Sequence, residues 1–192
     1  MAASSNEILM AQLRESYGRI IYTHKTHEKM ADIYQLRDER IRRWQLILSV
    51  IVTSGIVATI GTEIYGNGSM CIKIISAVVS FVLALLTAIV RNSNYTQLVQ
   101  QHREVAATIW LYRERYFCVL SDYMAGFITE QEALKRRDKL NEDLFVIYKN
   151  APRTSSKAYE DARKALKLNE EMTFSDEEID AFLSKEMKKG VK

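Results

Sequence analysis

Two long uncharged stretches constrain this chain more than any other feature of its sequence. Residues 44–62 (WQLILSVIVTSGIVATIGT) are nineteen consecutive uncharged residues, and residues 74–90 (IISAVVSFVLALLTAIV) are seventeen more. As helices they would cover roughly 25 to 29 Å, against about 30 Å for the hydrocarbon core of a bilayer. The alternative is a pair of buried helices in a soluble bundle, but such helices seldom run this long without a polar side. The pattern therefore favours two transmembrane helices.

The segment between the two stretches predicts a tight turn. Its centre is Gly66-Asn67-Gly68-Ser69, and Gly and Asn tolerate the positive φ angles that other residues resist. A connection this short makes the two helices antiparallel neighbours. The sequence thus predicts an antiparallel two-helix transmembrane hairpin over residues 44–90.

Basic residues are concentrated on one side of this hairpin. Four arginines precede the first stretch and one follows the second, whereas the turn holds a single lysine; they are Arg37, Arg40, Arg42, Arg43 and Arg91, and Lys73. Lys and Arg favour the cytoplasmic side of a membrane. Both termini are therefore predicted to be cytoplasmic in a multi-pass protein, with the turn outside.

The remainder of the chain predicts helices on the cytoplasmic side. Outside residues 44–90 the sequence is rich in charged residues, and the whole chain of 192 residues has one Pro and seven Gly. We therefore predict an all-α membrane protein in three parts: an N-terminal cytoplasmic amphipathic helix (1–43), the hairpin (44–90) and a C-terminal cytoplasmic helical bundle (91–192). The net charge of +3 comes from mixed signs, so direct binding of nucleic acid is not expected.

The N-terminal region carries a heptad-like seam. Ser4 and Glu7 have the form of a capping box, and a helix is predicted from Ser4 to Arg43. Seven residues recur at alternating spacings of four and three, which is typical of a helix face buried against another helix: Leu13, Tyr17, Ile20, His24, His27, Ala31 and Tyr34. The two histidines could suit a metal or a pH switch. Because no Cys or acidic residue completes a metal set, we favour ordinary packing and predict no metal site.

Small and hydroxylated residues mark the candidate packing or pore faces of the two stretches. One group comprises Gly55, Thr59 and Thr62, and the other comprises Ser76, Ser80, Ala84 and Thr87. Small side chains let helices approach closely in lipid, and hydroxyls can add hydrogen bonds between helices. These groups either close the hairpin alone, or one of them also joins subunits or lines a pore. Glu63 either forms a cation-attracting collar at the outer mouth or simply ends the apolar segment, and the second is favoured.

Local signals divide the C-terminal region into helices. A helix is predicted from about Ser93 to Tyr123, and Ala125-Gly126-Phe127 should break it. Later starts are predicted where a hydroxyl residue can cap a helix: Thr129 with Glu132, Thr154 or Ser155 after Pro152, and Ser175 with Glu178. The first two of these helices should pair as an antiparallel hairpin.

Signals of catalysis are missing from the sequence. It contains no phosphate-cradling glycine loop, no nucleophile elbow and no metal-ligand cluster, so neither an enzyme nor a cofactor is predicted. The two cysteines, Cys71 and Cys118, lack CxxC spacing, and the predicted topology places them on opposite sides of the membrane. The working part of the molecule is predicted to be its membrane segment.

The overall arrangement resembles a known family. A basic helical N-terminus, a tight two-span hairpin and a helical tail are similar to the SLATT family of two-transmembrane effectors in bacterial conflict systems. Residues 151–159 (APRTSSKAY) also resemble the Pro-x-Ser/Thr and Ala-Tyr junction of that family.

This resemblance implies an anti-phage effector of the bacterial inner membrane. Such an effector would respond to a sensor or nucleotide-signalling partner of the same system, form homo-oligomers and permeabilise the lipid bilayer. The alternative is a non-pore, membrane-anchored helical scaffold that recruits a partner protein.

Overall fold

The computed structural model describes residues 5–64 and 70–189, without the side chains of residues 62–64, 72, 90, 91, 93 and 186. All regular structure in these ranges is helical, as predicted. The helices are α1 (Ser5–Ile64), α2 (Met70–Ser93), α3 (Tyr95–Met124), α4 (Glu130–Asn150), α5 (Ser156–Lys167) and α6 (Asp176–Phe182), followed by a 3₁₀ turn at Lys185–Met187. The predicted turn at residues 66–69 and the capping residue Ser4 lie outside the described residues.

Helix α1 is 60 residues long and has no interruption. The predicted boundary between the N-terminal helix and the hairpin falls after Arg43, and the backbone passes through this position as continuous helix. The reason is local, because no Pro occurs in α1 and each residue of the apolar stretch can satisfy its backbone groups within a helix. The sequence therefore changes from mixed polar and apolar residues to apolar residues, and the helical backbone continues unchanged.

A single residue separates α2 from α3. Asn94 has φ of 46°, in the left-handed region that Asn tolerates better than most residues. The Leu98 amide donates to the Asn94 carbonyl oxygen at 3.0 Å, which closes the first turn of α3. Helix α3 thus begins two residues later than predicted and follows α2 without a loop.

Hydroxyl residues begin each of the later helices. Thr129 Oγ1 accepts from the Glu132 amide at 3.3 Å, Ser155 Oγ accepts from the Ala158 amide at 3.2 Å, and Ser175 forms a reciprocal capping box with Glu178. Ser155 is therefore the cap of α5, which the sequence had left open between Thr154 and Ser155. Because each cap satisfies amides that have no helical partner, it fixes where its helix starts.

The chain divides into two compact units. The bundle unit is Met1–Lys29 with Val105–Lys192, and the apolar-helix unit is Met30–Glu104. In the bundle unit, α1, α3 and α4 share a core that includes Leu13, Ile109 and Tyr116, all fully buried. Tyr116 donates to Asn141 Oδ1 at 2.6 Å, and Arg136 lies 3.4 Å from Asp122. These pairs run in opposite directions along α3 and α4, so the two helices are antiparallel, as expected.

In the apolar-helix unit, α1 contacts α2 at two levels. Gln45 of α1 donates to Thr87 of α2 at 3.3 Å, and Gly55 of α1 lies directly against Ser76. A later residue of α1 thus meets an earlier residue of α2. The start of α3 contacts α1 as well, since the Tyr34 ring lies 5.9 Å from the Tyr95 ring and 5.7 Å from the His102 ring.

Candidate functional site

The apolar part of α1 is exposed along its length. An 18-residue window of this helix has a mean hydropathy of 1.8, and none of the window is buried. Large apolar side chains point away from the molecule, and Leu46 and Val57 are 66% and 65% exposed. A soluble protein seldom leaves an apolar patch of this size in water. This segment is therefore long and apolar enough to cross a membrane.

The apolar part of α2 is shorter. Lys73–Ile89 is apolar, but it has fewer than 18 residues, so α1 holds the one candidate span of that length in the part of the chain that the structure describes. Phe81 of α2 is 65% exposed. Seventeen helical residues cover roughly 25 Å, at the short end of the range for a transmembrane helix.

Small residues bring α1 and α2 into close contact. A Cβ atom added to Gly55 would lie 2.5 Å from Ser76 Oγ and 3.6 Å from Ser76 Cβ. A Cβ atom added to Gly61 would have no neighbour within 4 Å. Gly55 therefore packs closely against Ser76, and an added methyl would require the Ser76 hydroxyl to rotate, whereas Gly61 has open space. Thr59 and Ser80 are half-buried, like Gly55 and Ser76.

The second predicted group does not share one environment. Ser76 and Ser80 are half-buried, but Ala84 and Thr87 are exposed. The side chains of Thr62 and Glu63 lie outside the described residues, so the predicted collar at Glu63 stays a prediction. The structure thus brings Gly55 and Ser76 together and leaves Ala84 on the surface of this unit.

Hydroxyl groups in the apolar segments bond mainly within their own helix. Thr59 donates to the Gly55 carbonyl oxygen at 2.8 Å, and Ser80 donates to that of Ser76 at 2.7 Å. Thr53, Ser54 and Thr87 bond in the same way to the residue four positions earlier. A side-chain bond between the two helices runs from Gln45 to Thr87. Sequence reasoning missed Gln45, although an amide at the start of an apolar stretch was the available signal.

The N-terminal seam lies on the inner side of α1. Five of its members are buried, namely Leu13, Ile20, His24, His27 and Ala31, whereas Tyr17 and Tyr34 are half-buried. The Tyr17 ring lies 5.8 Å from the Phe117 ring of α3, within the range of an aromatic pair. Within the bundle unit, the seam therefore packs against helices of the same chain.

His24 is a buried side chain of the seam. Burial lowers the pKa of His24, the Glu28 carboxylate at 3.7 Å opposes that shift, and Arg113 and Lys25 add to it. Among the described residues, His24 Nδ1 has no hydrogen-bond partner. No group of three or more His, Cys, Asp or Glu side chains in the described ranges could hold a metal ion. His24 is therefore a neutral packing residue near pH 7.

A family model matches most of this chain. The model is SLATT_4, described as "SMODS and SLOG-associating 2TM effector domain family 4", and it matches residues 9–178. The chain belongs to this family. The match confirms the resemblance noted in the sequence, and it covers α1 to α5 with the first residues of α6. No curated protein and no solved structure matches the chain.

An ion-pair cluster in this SLATT domain joins α1 to the segment after α5. Lys25 Nζ lies 2.7 Å from Glu171 Oε2 and 2.9 Å from Glu28 Oε2, and Lys29 Nζ lies 3.4 Å from Glu171. Burial alone would lower the pKa of Lys25, but its bonds to Glu171 and Glu28 raise it. The bond from Lys25 lowers the pKa of Glu171. Sequence reasoning missed this cluster because its partners lie far apart in the chain.

The segment held by this cluster has an unusual backbone. Glu170 and Met172, on either side of Glu171, have φ of 51° and 77°, which residues with side chains seldom adopt. Arg113 of α3 contacts Met172 Sδ at 3.7 Å. The left-handed backbone at Glu170 and Met172 is therefore held by contacts from α1 and α3, within the bundle unit.

Proposed function

We propose that this chain is a membrane-disrupting, pore-forming effector of a bacterial anti-phage system. It inserts into the inner membrane as an antiparallel hairpin, with both termini in the cytoplasm. Membership of a two-transmembrane effector family supports this proposal. The observation that carries it is the apolar window of α1, of which no residue is buried, because only lipid or other apolar helices can cover such a surface.

The proposed pore requires several copies of the chain. Two helices cannot enclose a water-filled path, so each hairpin must use one face internally and another between subunits. The contact of Gly55 with Ser76 supplies the internal face. Ala84 of α2 and Thr53 of α1 are exposed, and we assign them to the face between subunits. A small side chain, or a hydroxyl that donates to a carbonyl oxygen of its own helix, suits this role because it permits close helix packing in lipid.

Activation is proposed to pass along α1. This helix contributes its first part to the bundle unit and its later part to the apolar-helix unit. A sensor protein that changes the packing of the seam around His24 and Ile20 would act on the same continuous helix that carries the apolar window. The family description, which names SMODS and SLOG, supports partner proteins of this kind. In this proposal the effector acts without catalysis and without a cofactor.

Membrane potential is the quantity that tests this proposal. The chain would be induced in bacteria alone and with its neighbouring genes under phage challenge, and a voltage-sensitive dye would follow the potential. Depolarisation before lysis is the expected result. An unchanged potential in cells that express the chain and are defended would contradict the pore and favour the membrane-anchored scaffold.

Two leucine variants separate the internal face from the face between subunits. Ser80→Leu adds bulk to a half-buried position, whereas Ala84→Leu adds it to an exposed one. If Ala84 joins subunits, Ala84→Leu should leave membrane insertion intact and reduce depolarisation. Ala84→Leu with full depolarisation at equal expression would remove Ala84 from the assembly face.

A further inference from the structure

A large cavity with four charged side chains in its lining lies in the apolar-helix unit where α2 meets α3. Its volume is about 810 Å³, and it is lined by Asp38 and Arg42 of α1 and by residues 94–104, except Leu98 and His102. Arg42 stands two residues before the first apolar stretch, and Asn94 stands four residues after the second. The cavity therefore lies at the end of both apolar stretches, where lipid headgroups begin if the hairpin is inserted.

Two arginines in this cavity are held in place by bonds to the protein. Arg42 Nε donates to Asp38 Oδ2 at 2.8 Å, and its Nη2 donates to Thr96 Oγ1 at 3.3 Å. Arg103 Nη2 donates to Gln35 Oε1 at 2.5 Å. A guanidinium has five N–H groups, so these bonds orient both side chains and leave donors for another acceptor. A phosphate oxygen is the acceptor that such donors bind best.

Two carboxylates line the same cavity and balance the arginines. Asp38 bonds to Arg42, and Glu104 accepts from Gln100 at 2.8 Å. A carboxylate can accept about four hydrogen bonds, so each retains capacity for an ammonium group. Among the described side chains that line the cavity, two cations and two anions give no net charge. A purely anionic ligand would meet the carboxylates unfavourably, whereas a ligand with both charges would pair with each kind.

We infer that this cavity binds the phosphoethanolamine headgroup of an aminophospholipid. The phosphate lies against Arg42 and Arg103, and the primary ammonium lies against Asp38 and Glu104. A phosphatidylglycerol headgroup offers no cation to the carboxylates. A phosphatidylcholine headgroup has a cation without N–H donors. The half-buried Tyr95, which lines the cavity, suits the boundary between acyl chains and headgroups. This inference rests on membrane insertion of the hairpin, which is part of the proposed function.

Retained lipid would test the inference directly. The full-length chain would be reconstituted in nanodiscs with equal amounts of phosphatidylethanolamine, phosphatidylcholine and phosphatidylglycerol, then extracted gently, and native mass spectrometry would count the lipids bound per chain. Phosphatidylethanolamine should be enriched over the other two. Arg42→Gln with Arg103→Gln should reduce this enrichment about tenfold, since each arginine contributes appreciably at a membrane surface. Arg40→Gln with Arg43→Gln is the matched control, because these arginines are exposed and do not line the cavity.

A second pair of substitutions should change the preference instead of abolishing binding. Asp38→Asn with Glu104→Gln keeps the phosphate donors and removes the carboxylates that bind the ammonium, so enrichment should move to phosphatidylglycerol. A variant that merely failed to fold would not gain this new preference.

Several outcomes would overturn the inference. They are equal retention of the three lipids, an equal loss in the control variant, an unchanged preference in the carboxylate variant, and displacement of the retained lipid by free phosphoethanolamine at equimolar concentration. A chain that inserts into nanodiscs but shows no headgroup preference contradicts this site alone. A chain that does not insert contradicts the proposed function as well.

Discussion

The two units of this chain bury opposite kinds of side chain. In the bundle unit, Leu13, Ile109 and Tyr116 are fully buried. In the apolar-helix unit, large side chains such as Leu46 are mostly exposed, and the contact between helices is made by Gly55 with its small neighbour on α2. Water favours burial of large apolar groups, whereas lipid gives them no such preference and leaves close packing of small residues to join helices. The difference teaches that one continuous helix, α1, carries two kinds of surface, and the proposed insertion would place them in water and in lipid.

Arginine substitutions should give the largest difference between the two units. Val50 of α1 and Val146 of α4 are 59% and 58% exposed, so their exposed fractions match. In the proposed topology Val50 faces lipid and Val146 faces water. Val50→Arg should prevent stable insertion, because a charge near the centre of a span costs about 2.5 to 3.5 kcal/mol. Val146→Arg should be nearly neutral. Flotation of membranes in a sucrose gradient would measure the membrane-bound fraction of each variant. Equal membrane binding by both variants would show that α1 does not face lipid.

Leucine substitutions at two glycines would test whether small residues are needed for close packing of α1 against α2. Gly55→Leu places side-chain atoms where Ser76 stands, and overpacking of this kind costs about 1 to 3 kcal/mol. Gly61→Leu has open space and should change little. Thermal unfolding of the detergent-solubilised chain, followed by circular dichroism, would compare them. Gly55→Ala should have a smaller effect than leucine, because rotation of the Ser76 hydroxyl relieves its contact. Equal melting temperatures for Gly55→Leu and Gly61→Leu would exclude close packing at Gly55.

Removal of Lys25 should release the segment after α5 in the bundle unit. Lys25→Met leaves the Glu171 and Glu28 carboxylates without their nearest cation, at a cost of about 1 to 2 kcal/mol. Lys29→Met is the matched control, since Lys29 contacts Glu171 at 3.4 Å and its side chain is more exposed. Hydrogen exchange in residues 168–175 should quicken in Lys25→Met and much less in Lys29→Met. The same protection in both variants would mean that the ion pair does not hold this segment.

Much of the fold could be predicted because its signals are local. Residues 129, 155 and 175 begin helices through their own side chains, and the seam follows from spacing along one helix. The helix predicted up to Arg43 and the first apolar stretch form one continuous helix, because a change in side-chain polarity needs no change in the backbone. The ion pair of Lys25 with Glu171 was missed because it joins positions 146 residues apart, and no local pattern encodes such a meeting.

The candidate site was only partly predictable, for a related reason. Periodicity identified the small residues of both apolar stretches, but it could not show which of them face the other helix. Ser76 and Ala84 belong to the same predicted group, and the structure places Ser76 against Gly55 and leaves Ala84 exposed. A helical stripe spans an arc wide enough to include both environments, so only the partner helix decides between them.

The smallest predicted effect is a loss of stability in mild acid. It should come from the buried His24 of the bundle unit and not from the ion pair of Lys25 with Glu171. Burial lowers the pKa of His24 below 6.5 in the folded chain, so just below pH 6.5 the unfolded state binds a proton that the folded state does not. Stability should therefore be complete above pH 6.5 and fall as the pH drops toward the lowered pKa. The effect is modest because the Glu28 carboxylate offsets part of the shift. Melting temperatures of the detergent-solubilised chain between pH 7.5 and 5.5 would measure it, and His24→Gln should flatten the slope.

His102 and Glu171 also contribute to the dependence of stability on pH. Burial also lowers the pKa of His102 in the apolar-helix unit, so His24→Gln should reduce the slope without abolishing it. The Glu171 carboxylate loses its contribution only at lower pH, because its pKa lies below 4.5. A slope that is unchanged in His24→Gln would therefore show that His24 does not contribute to the acid response.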